Sequence, residues 1–180
     1  IRTISGHTGP VYAVAFSKDG KTLYSSSLDT TIKAWNILDG KMTQELKGHT
    51  GIVDGCAISP DGKTLASCSS DKSVKLWNLA DGKELKTLGS HANSVYSVAF
   101  SPDGKYFVTA SELGMLKIWD VSSGKLVENL KGHSDDVRSA QFSPDGKYIV
   151  TGLEDGTAKI WRVASGEILH DLKGHIDAVT

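Results

Sequence analysis

Apolar and polar residues alternate over short runs along the chain, and turn-forming residues interrupt the alternation at intervals of about eight to twelve positions. A period of two turns one face of an extended segment toward a core, so each run predicts a β-strand. No run carries the 3.6-residue periodicity of a helix of about ten residues. The run Val11 to Phe16 returns as Val53 to Ile58, Val95 to Phe100 and Val137 to Phe142. A hairpin turn follows each run: Ser17-Lys-Asp-Gly-Lys21, then Ser59-Pro-Asp-Gly-Lys63, Ser101-Pro-Asp-Gly-Lys105 and Ser143-Pro-Asp-Gly-Lys147. Pro presets φ at the first corner, Asp bonds nearby amides, and Gly accepts positive φ. Leu23, Leu65, Phe107 and Ile149 open a second strand, and a third ends on Trp35, Trp77, Trp119 and Trp161. After turns at Gly40, Gly82, Gly124 and Gly166, a fourth strand carries Leu46, Leu88, Leu130 and Leu172. The pattern predicts a four-stranded antiparallel meander, made four times.

The four tryptophans are spaced 42 residues apart, and His7, His49, His91, His133 and His175 keep the same spacing. The expected organisation is the outer strand of a preceding blade at 1–6, repeats at 7–48, 49–90, 91–132 and 133–174, and the start of a next blade at 175–180. One meander cannot bury both its faces, so the sheets must stack about an axis as in a β-propeller. The unit resembles the WD-repeat of that architecture: a Gly-His pair, an Asp in the turn after the second strand, and a Trp-Asp closing the third. The sequence departs from it at Ser90, which replaces Gly before His91, and at Leu113, which stands where Asp29, Asp71 and Asp155 set the pattern. Asn36, Asn78 and Arg162 replace the Asp after Trp, which only Asp120 retains. The fold class implied is all-β, a propeller of four-stranded blades.

The resemblance also implies a hydrogen-bonded network in each unit. Its members are His7, Ser25, Asp29 and Trp35; His49, Ser67, Asp71 and Trp77; His91, Thr109 and Trp119, with Leu113 in the acid's place; and His133, Thr151, Asp155 and Trp161. It further implies that partners are met at the Gly-His end of the blades. The positions concerned are Tyr12, Asp54, Tyr96 and Arg138 in one register, Pro10, Ile52, Ser94 and Asp136 in a second, and Leu28, Ser70, Glu112 and Glu154 in a third. These residues differ sharply between units while Phe16, Ile58, Phe100 and Phe142 keep the framework.

Composition narrows the function classes. Twenty Lys and Arg against twenty-one Asp and Glu give a net charge of -1, which offers no basic field for nucleic acid or anionic lipid. No apolar run approaches the roughly 20 residues of a membrane-spanning helix, so no membrane partner is expected. Cys56 and Cys68 are too few for a disulfide framework and align with Val, Ala, Ser and Gly, which suits small core residues of a reducing, cytoplasmic compartment. No signal segment is visible at Ile1. No cofactor or metal is expected, because one His per blade sets the imidazoles about 10 Å apart. His170, outside the series, reads as an exposed residue on a fourth strand.

Each network contains the residue types of a hydrolase triad, but a catalytic constellation is singular and this one recurs. The expected function is a non-catalytic scaffold for protein or peptide partners. Two rivals stand beside it: a repeat unit that assembles with a second chain, and a propeller hydrolase or lyase with a site at the central channel. The resemblance implies about seven blades for a closed ring, so four leave two sheet faces of about 400 Å² open. Further blades, from a longer chain or a second copy, are the expected cover. The end fragments favour the longer chain, since residues 1–6 would compete with 167–172 of a second copy for one outer slot.

Overall fold

A computed structural model describes residues 3–89 and 91–180. The departure at Ser90 and the first two residues of the 1–6 fragment lie outside them. The first sheet comprises β1 (Val11–Phe16), β2 (Thr22–Ser27), β3 (Ile32–Asn36) and β4 (Met42–Leu46), and the second β5 (Val53–Ile58), β6 (Thr64–Ser69), β7 (Val74–Asn78) and β8 (Glu84–Leu88). The third comprises β9 (Val95–Phe100), β10 (Tyr106–Ser111), β11 (Met115–Asp120) and β12 (Leu126–Leu130), and the fourth β13 (Val137–Phe142), β14 (Tyr148–Leu153), β15 (Ala158–Arg162) and β16 (Glu167–Leu172). Strands pair antiparallel in sequence order within every sheet, so each repeat is one propeller-type blade. The described residues include a single 3-10 turn at Glu112–Gly114 and no helix long and apolar enough to cross a membrane.

The first hairpins form as their chemistry dictates. Ser17 Oγ donates to Asp19 Oδ1 at 2.6 Å, the Lys21 amide donates to the same oxygen at 3.1 Å, and Gly20 takes φ 68°. The same capped turn is built on Asp61, Asp103 and Asp145. Lys18 in place of Pro does not alter it, because the Gly20 amide still reaches the Ser17 carbonyl at 2.9 Å.

The chain divides into two compact units, Ile1–Ala92 and Asn93–Thr180. In the first unit, Leu23, Ser25 and Trp35 share one face of their sheet, the tryptophan face, and Tyr24, Ile32, Ala34 and Leu46 form the opposite face. That opposite face packs on Val53, Leu65 and Trp77 from the tryptophan face of the second blade. The second unit repeats the junction, with Val108, Leu116, Ile118 and Leu130 against Val137, Phe142, Ile149 and Trp161. Both cysteines are core groups: burial pushes the Cys56 thiol up to about 12 and also raises that of Cys68.

The ends differ from expectation. Residues 3–6 carry no strand, because an outer strand needs a third strand of its own blade beside it. Residues 175–180 carry none either. They lie along the fourth blade, where the Val179 amide donates to the Leu153 carbonyl at 2.9 Å. Gly156, at φ 79°, permits the approach: a Cβ there would stand 3.0 Å from the His175 carbonyl oxygen.

Candidate functional site

The first two blades contain complete four-residue networks. Trp35 Nε1 donates to Ser25 Oγ at 2.7 Å, which leaves the hydroxyl proton for His7 Nε2 at 2.7 Å. His7 therefore carries its proton on Nδ1 and gives it to Asp29 Oδ2 at 2.7 Å. In the second blade Trp77, Ser67, His49 and Asp71 repeat the chain at 2.8, 2.7 and 2.8 Å. Each carboxylate also ties the turn: Asp71 accepts from the Thr50 amide at 2.9 Å and from the Ser73 amide and hydroxyl at 2.9 and 2.6 Å. Burial opposes the charge on Asp71, but the bonds from Ser73, Thr50 and His49 outweigh it and hold the carboxyl down at about 2. Asp29 is held well below the ordinary range in the same way, against burial, by Thr31, His7 and Thr8. Burial lowers His49, partly offset by Asp71.

The order Ser, His, Asp at these distances is that of a hydrolase triad, and burial decides what it can do. Ser25 is 4% exposed and spends both lone-pair and proton capacity on Trp35 and His7. A nucleophile must present its oxygen to a substrate carbon. This hydroxyl is buried and engaged on both sides, and the hydrogen bonds of the set link the loop before β1 to the turn after β2.

The other two blades are tied differently. Trp119 Nε1 still donates to Thr109 Oγ1 at 2.8 Å, but Leu113, in the acid's place, is exposed and sits at φ 58° within the 3-10 turn. Its amide is taken by Asp136 Oδ1 at 2.9 Å, an acceptor from the next repeat that sequence spacing does not reveal. His91 is buried. In the fourth blade His133 Nε2 meets Thr151 Oγ1 at 2.9 Å and Trp161 donates to the same oxygen at 3.2 Å. The expected bond from His133 to Asp155 is not made, and this corrects the sequence reading. The imidazole sits closer to its indole than in the first two blades, 4.7 Å between centroids against 5.9 and 6.2 Å. Asp155 turns to Thr157 and, at 3.4 Å, to Ser134 Oγ. His133 Nδ1 is left buried without a hydrogen-bond partner, and burial pushes this imidazole down to about 4.

Sequence reasoning overlooked four buried lysines on the same 42-residue spacing, Lys33, Lys75, Lys117 and Lys159. Each lies two residues before the Trp and so on the tryptophan face. Lys33 pairs with Glu45 directly across β4, Lys75 with Glu84 at 2.9 Å, and Lys159 with Asp171 at 3.0 Å. Lys117 lies 5.8 Å over the Trp119 ring and is lowered by burial. The residue aligned with Glu45 is here Asn129, whose buried Oδ1 has no partner.

The twelve positions implied for partner contact come together blade by blade. The Leu28, Ser70, Glu112 and Glu154 amides donate to the Pro10, Ile52, Ser94 and Asp136 carbonyls at 2.9 to 3.0 Å. Between these pairs, every first strand slips register by one residue, and the residue looped out of the strand register is Tyr12, Asp54, Tyr96 or Arg138. A bulge re-aims its extra side chain. Tyr12 is 53% exposed. Asp54 accepts from Ser70 Oγ at 2.8 Å. Arg138 lies 4.2 Å over the Tyr96 ring and pairs with Glu154 at 2.6 Å and Asp136 at 3.5 Å.

Two curated proteins are similar over short stretches. The COMPASS component SWD3 of Saccharomyces cerevisiae is 37% identical over 46 residues, 26% of this chain and 15% of its own length. The transcription initiation factor TFIID subunit 5 of Drosophila melanogaster is 49% identical over 37 residues, 21% of this chain and 5% of its own length. The chain thus spans a small part of either relative. They overturn the expectation of a cytoplasmic protein: a relative named for transcription initiation in a fly works in the nucleus, and the two cysteines, which are core residues, carry no information about compartment. The WD domain, G-beta repeat family matches at residues 1–36, 40–78, 82–120 and 124–162, each match after the first closing one residue past the Trp as the first does. With matches over most of its length, the chain belongs to the WD40 repeat family.

Proposed function

We propose that this chain is a non-catalytic scaffold that presents the bulged ends of its blades to a protein or peptide partner. The observation that carries the reading is the bulge itself. A rigid repeated frame turns out one variable side chain per blade, Tyr12, Asp54, Tyr96 or Arg138, at the end where the Gly-His loops lie. Proteins of the family are protein-interaction scaffolds in general, and both relatives are named as parts of assemblies. The residues divide the work. Arg138 is committed to Tyr96, Glu154 and Asp136, so it stiffens the surface of the second unit, whereas Tyr12 stands open as an aromatic anchor. Asp54, Glu112 and Glu154 add acidic character that suits a basic residue in the ligand. The burial of Ser25 and Ser67 speaks against the hydrolase alternative. The test is capture of partners from lysate by the parent chain and by a Tyr12→Ala, Tyr96→Ala, Arg138→Ala variant with unchanged circular dichroism. Loss of the captured proteins is expected; the same proteins in the same yield would place the partner surface elsewhere.

A further inference from the structure

Asp precedes Gly eight times in the chain. At such a pair the glycine nitrogen can attack the carboxyl before it, because glycine has no side chain to block the approach. Four pairs lie in the hairpins after the first strands, two in the hairpins after β3 and β7, and the others at Asp54 and Asp155. The hairpins after β11 and β15 carry Ser123 and Ser165 before their glycines instead. The two classes of hairpin share a setting as well as a dipeptide. Asp39 and Asp81 are 50% and 43% exposed, Asp103 and Asp145 52% and 49%, and a lysine two residues on stands 3.4 to 4.0 Å from each of these carboxylates. Every hairpin glycine amide concerned donates to a turn carbonyl at 2.8 or 2.9 Å.

What differs is the hold on the carboxyl group. In the first hairpins one oxygen accepts two bonds, from the serine hydroxyl at 2.6 Å and from the amide two residues on at 3.0 to 3.1 Å. The serine oxygen in turn accepts the amide that opens the second strand, as Thr64 does to Ser59 at 3.0 Å, so the ring of bonds closes. These bonds, the serine's first, lower Asp19, Asp61, Asp103 and Asp145 and favour the carboxylate. In the later hairpins the place of the serine is taken by Asn36 and Asn78, whose Oδ1 atoms accept from the Leu38 and Ala80 amides and give the acid nothing. Among the described residues Asp39 then accepts one amide bond, from Lys41 at 3.0 Å, and Asp81 one, from Lys83 at 3.2 Å. The remaining two pairs are held elsewhere: Asp155 by the Thr157 amide and hydroxyl, and Asp54 by Ser70, with Gly55 buried opposite Cys68 in the sheet.

We infer that Asp39 and Asp81 are sites of spontaneous isoaspartate formation in the folded chain, and that the serine-capped aspartates are protected from it. The reacting group is the protonated carboxyl. The Gly40 nitrogen bonds to Asp39 Cγ, the Cγ–OH bond breaks, and the hydroxyl leaves as water with the amide proton. Solvent water then opens the cyclic imide at the former main-chain carbonyl, breaking that C–N bond, so the chain runs through Cγ and the α-carboxyl becomes the side group. Composition is unchanged and one oxygen comes from solvent. The extra backbone carbon falls between β3 and β4, or between β7 and β8, where Gly40 and Gly82 now donate to the Asn36 and Asn78 carbonyls.

The experiment is prolonged incubation of the folded chain near neutral pH in water labelled with heavy oxygen, followed by peptide mapping that reads both the label and the isoaspartyl linkage. Label is expected at Asp39 and Asp81 at least about tenfold faster than at Asp61, Asp103 or Asp145, the factor that one bond to a charged group supplies. In denaturant the preference should vanish, because the dipeptide is the same throughout. Ser59→Ala should raise the rate at Asp61 by about tenfold, again the factor of one such bond, and leave Asp81 unchanged; Ser101→Ala repeats the test at Asp103 should the first variant lose its fold by circular dichroism. Label spread evenly over the folded chain, none at Asp39 and Asp81, a preference that survives in denaturant, or an aspartate unmoved by loss of its serine would each overturn the inference.

Discussion

The turn after the second strand is held at positive φ in every blade, and the two units hold it by different means. In the first unit the residue is Thr30 at 68° or Lys72 at 72°, conformations that cost a side chain free energy. There the preceding aspartate gathers the histidine, the loop amide and the next residue's amide and hydroxyl, so the turn is over-determined. In the second unit the residue is Gly114 at 71° or Gly156 at 79°, and the network is incomplete: Leu113 replaces the acid in one blade and His133 misses it in the other. A closed network can carry a strained turn; in the fourth blade, where the network lapses, glycine makes the turn inexpensive, while in the third Gly114 follows Leu113 at 58°, whose amide is held by Asp136. The first unit thus fastens the turn through the histidine and aspartate together, and the second through glycine and carboxylate bonds that do not reach the histidine.

The largest effect should come from removing the acid in each half. Asp71→Ala strips acceptors from His49 Nδ1, the Thr50 amide and Ser73, at an expected cost of about 1 to 3 kcal/mol for buried partners left unpaired. Asp155→Ala should cost under about 1 kcal/mol, because His133 does not use that carboxylate and its other bonds are exposed. Denaturant titration of both variants measures the pair. Equal losses would erase the distinction between the halves.

Acid should separate the halves next. His133 titrates near 4 when folded, below the ordinary histidine value, so the unfolded chain takes up its proton first. Stability is drained as pH falls from about 6.5 to about 4 and is level below that. Asp71 runs the other way: its folded value of about 2 lies below the unfolded 3.8, so its contribution is complete above about 4 and is lost only as pH falls through 2. His49 is lowered too, but Asp71 offsets part of its burial. Amide protection in β14 should therefore drop on moving from pH 6.5 to about 4.5 by a larger factor than protection in β6. A larger drop in β6 would show that the buried ring of His133 does not govern the second unit.

The fold was legible because its signals are backbone signals repeated at fixed spacing. Hairpin residues, alternation and Trp position each specify a strand or a turn without reference to any other blade, and the 42-residue step aligned them. Contacts that depend on one particular side chain were not legible. Nothing in the spacing says that Asp136 caps Leu113, or that His133 leans toward Trp161 and away from Asp155. The bulge at Tyr12 and its counterparts was within reach, since Val11, Val14 and Phe16 share a face only if one residue between them is looped out. The buried lysines were within reach too: a charged residue two places from a core Trp must find a partner across the sheet, and Glu45 and Asp171 stand at the facing position.

The smallest effect tests whether the strain at Thr30 is real. Thr30→Gly removes a β-branched side chain from φ 68°, a relief of about 1 to 2 kcal/mol, and adds the entropy of a freer unfolded chain, a loss of about 1 kcal/mol. The net expected gain is about 0.5 kcal/mol, and it leaves the bonds of Asp29 to His7, Thr8 and Thr31 in place. The reverse exchange, Gly156→Thr, gains nothing from the turn and sets a Cβ 3.0 Å from the His175 carbonyl, so it should lose stability and release residues 175–180 to faster exchange. Thermal unfolding of the two variants reads both signs. A Thr30→Gly chain that melts below the parent would mean that the threonine side chain contributes more than its backbone costs, and the first unit would then hold its turn by side-chain contact as well as by the aspartate.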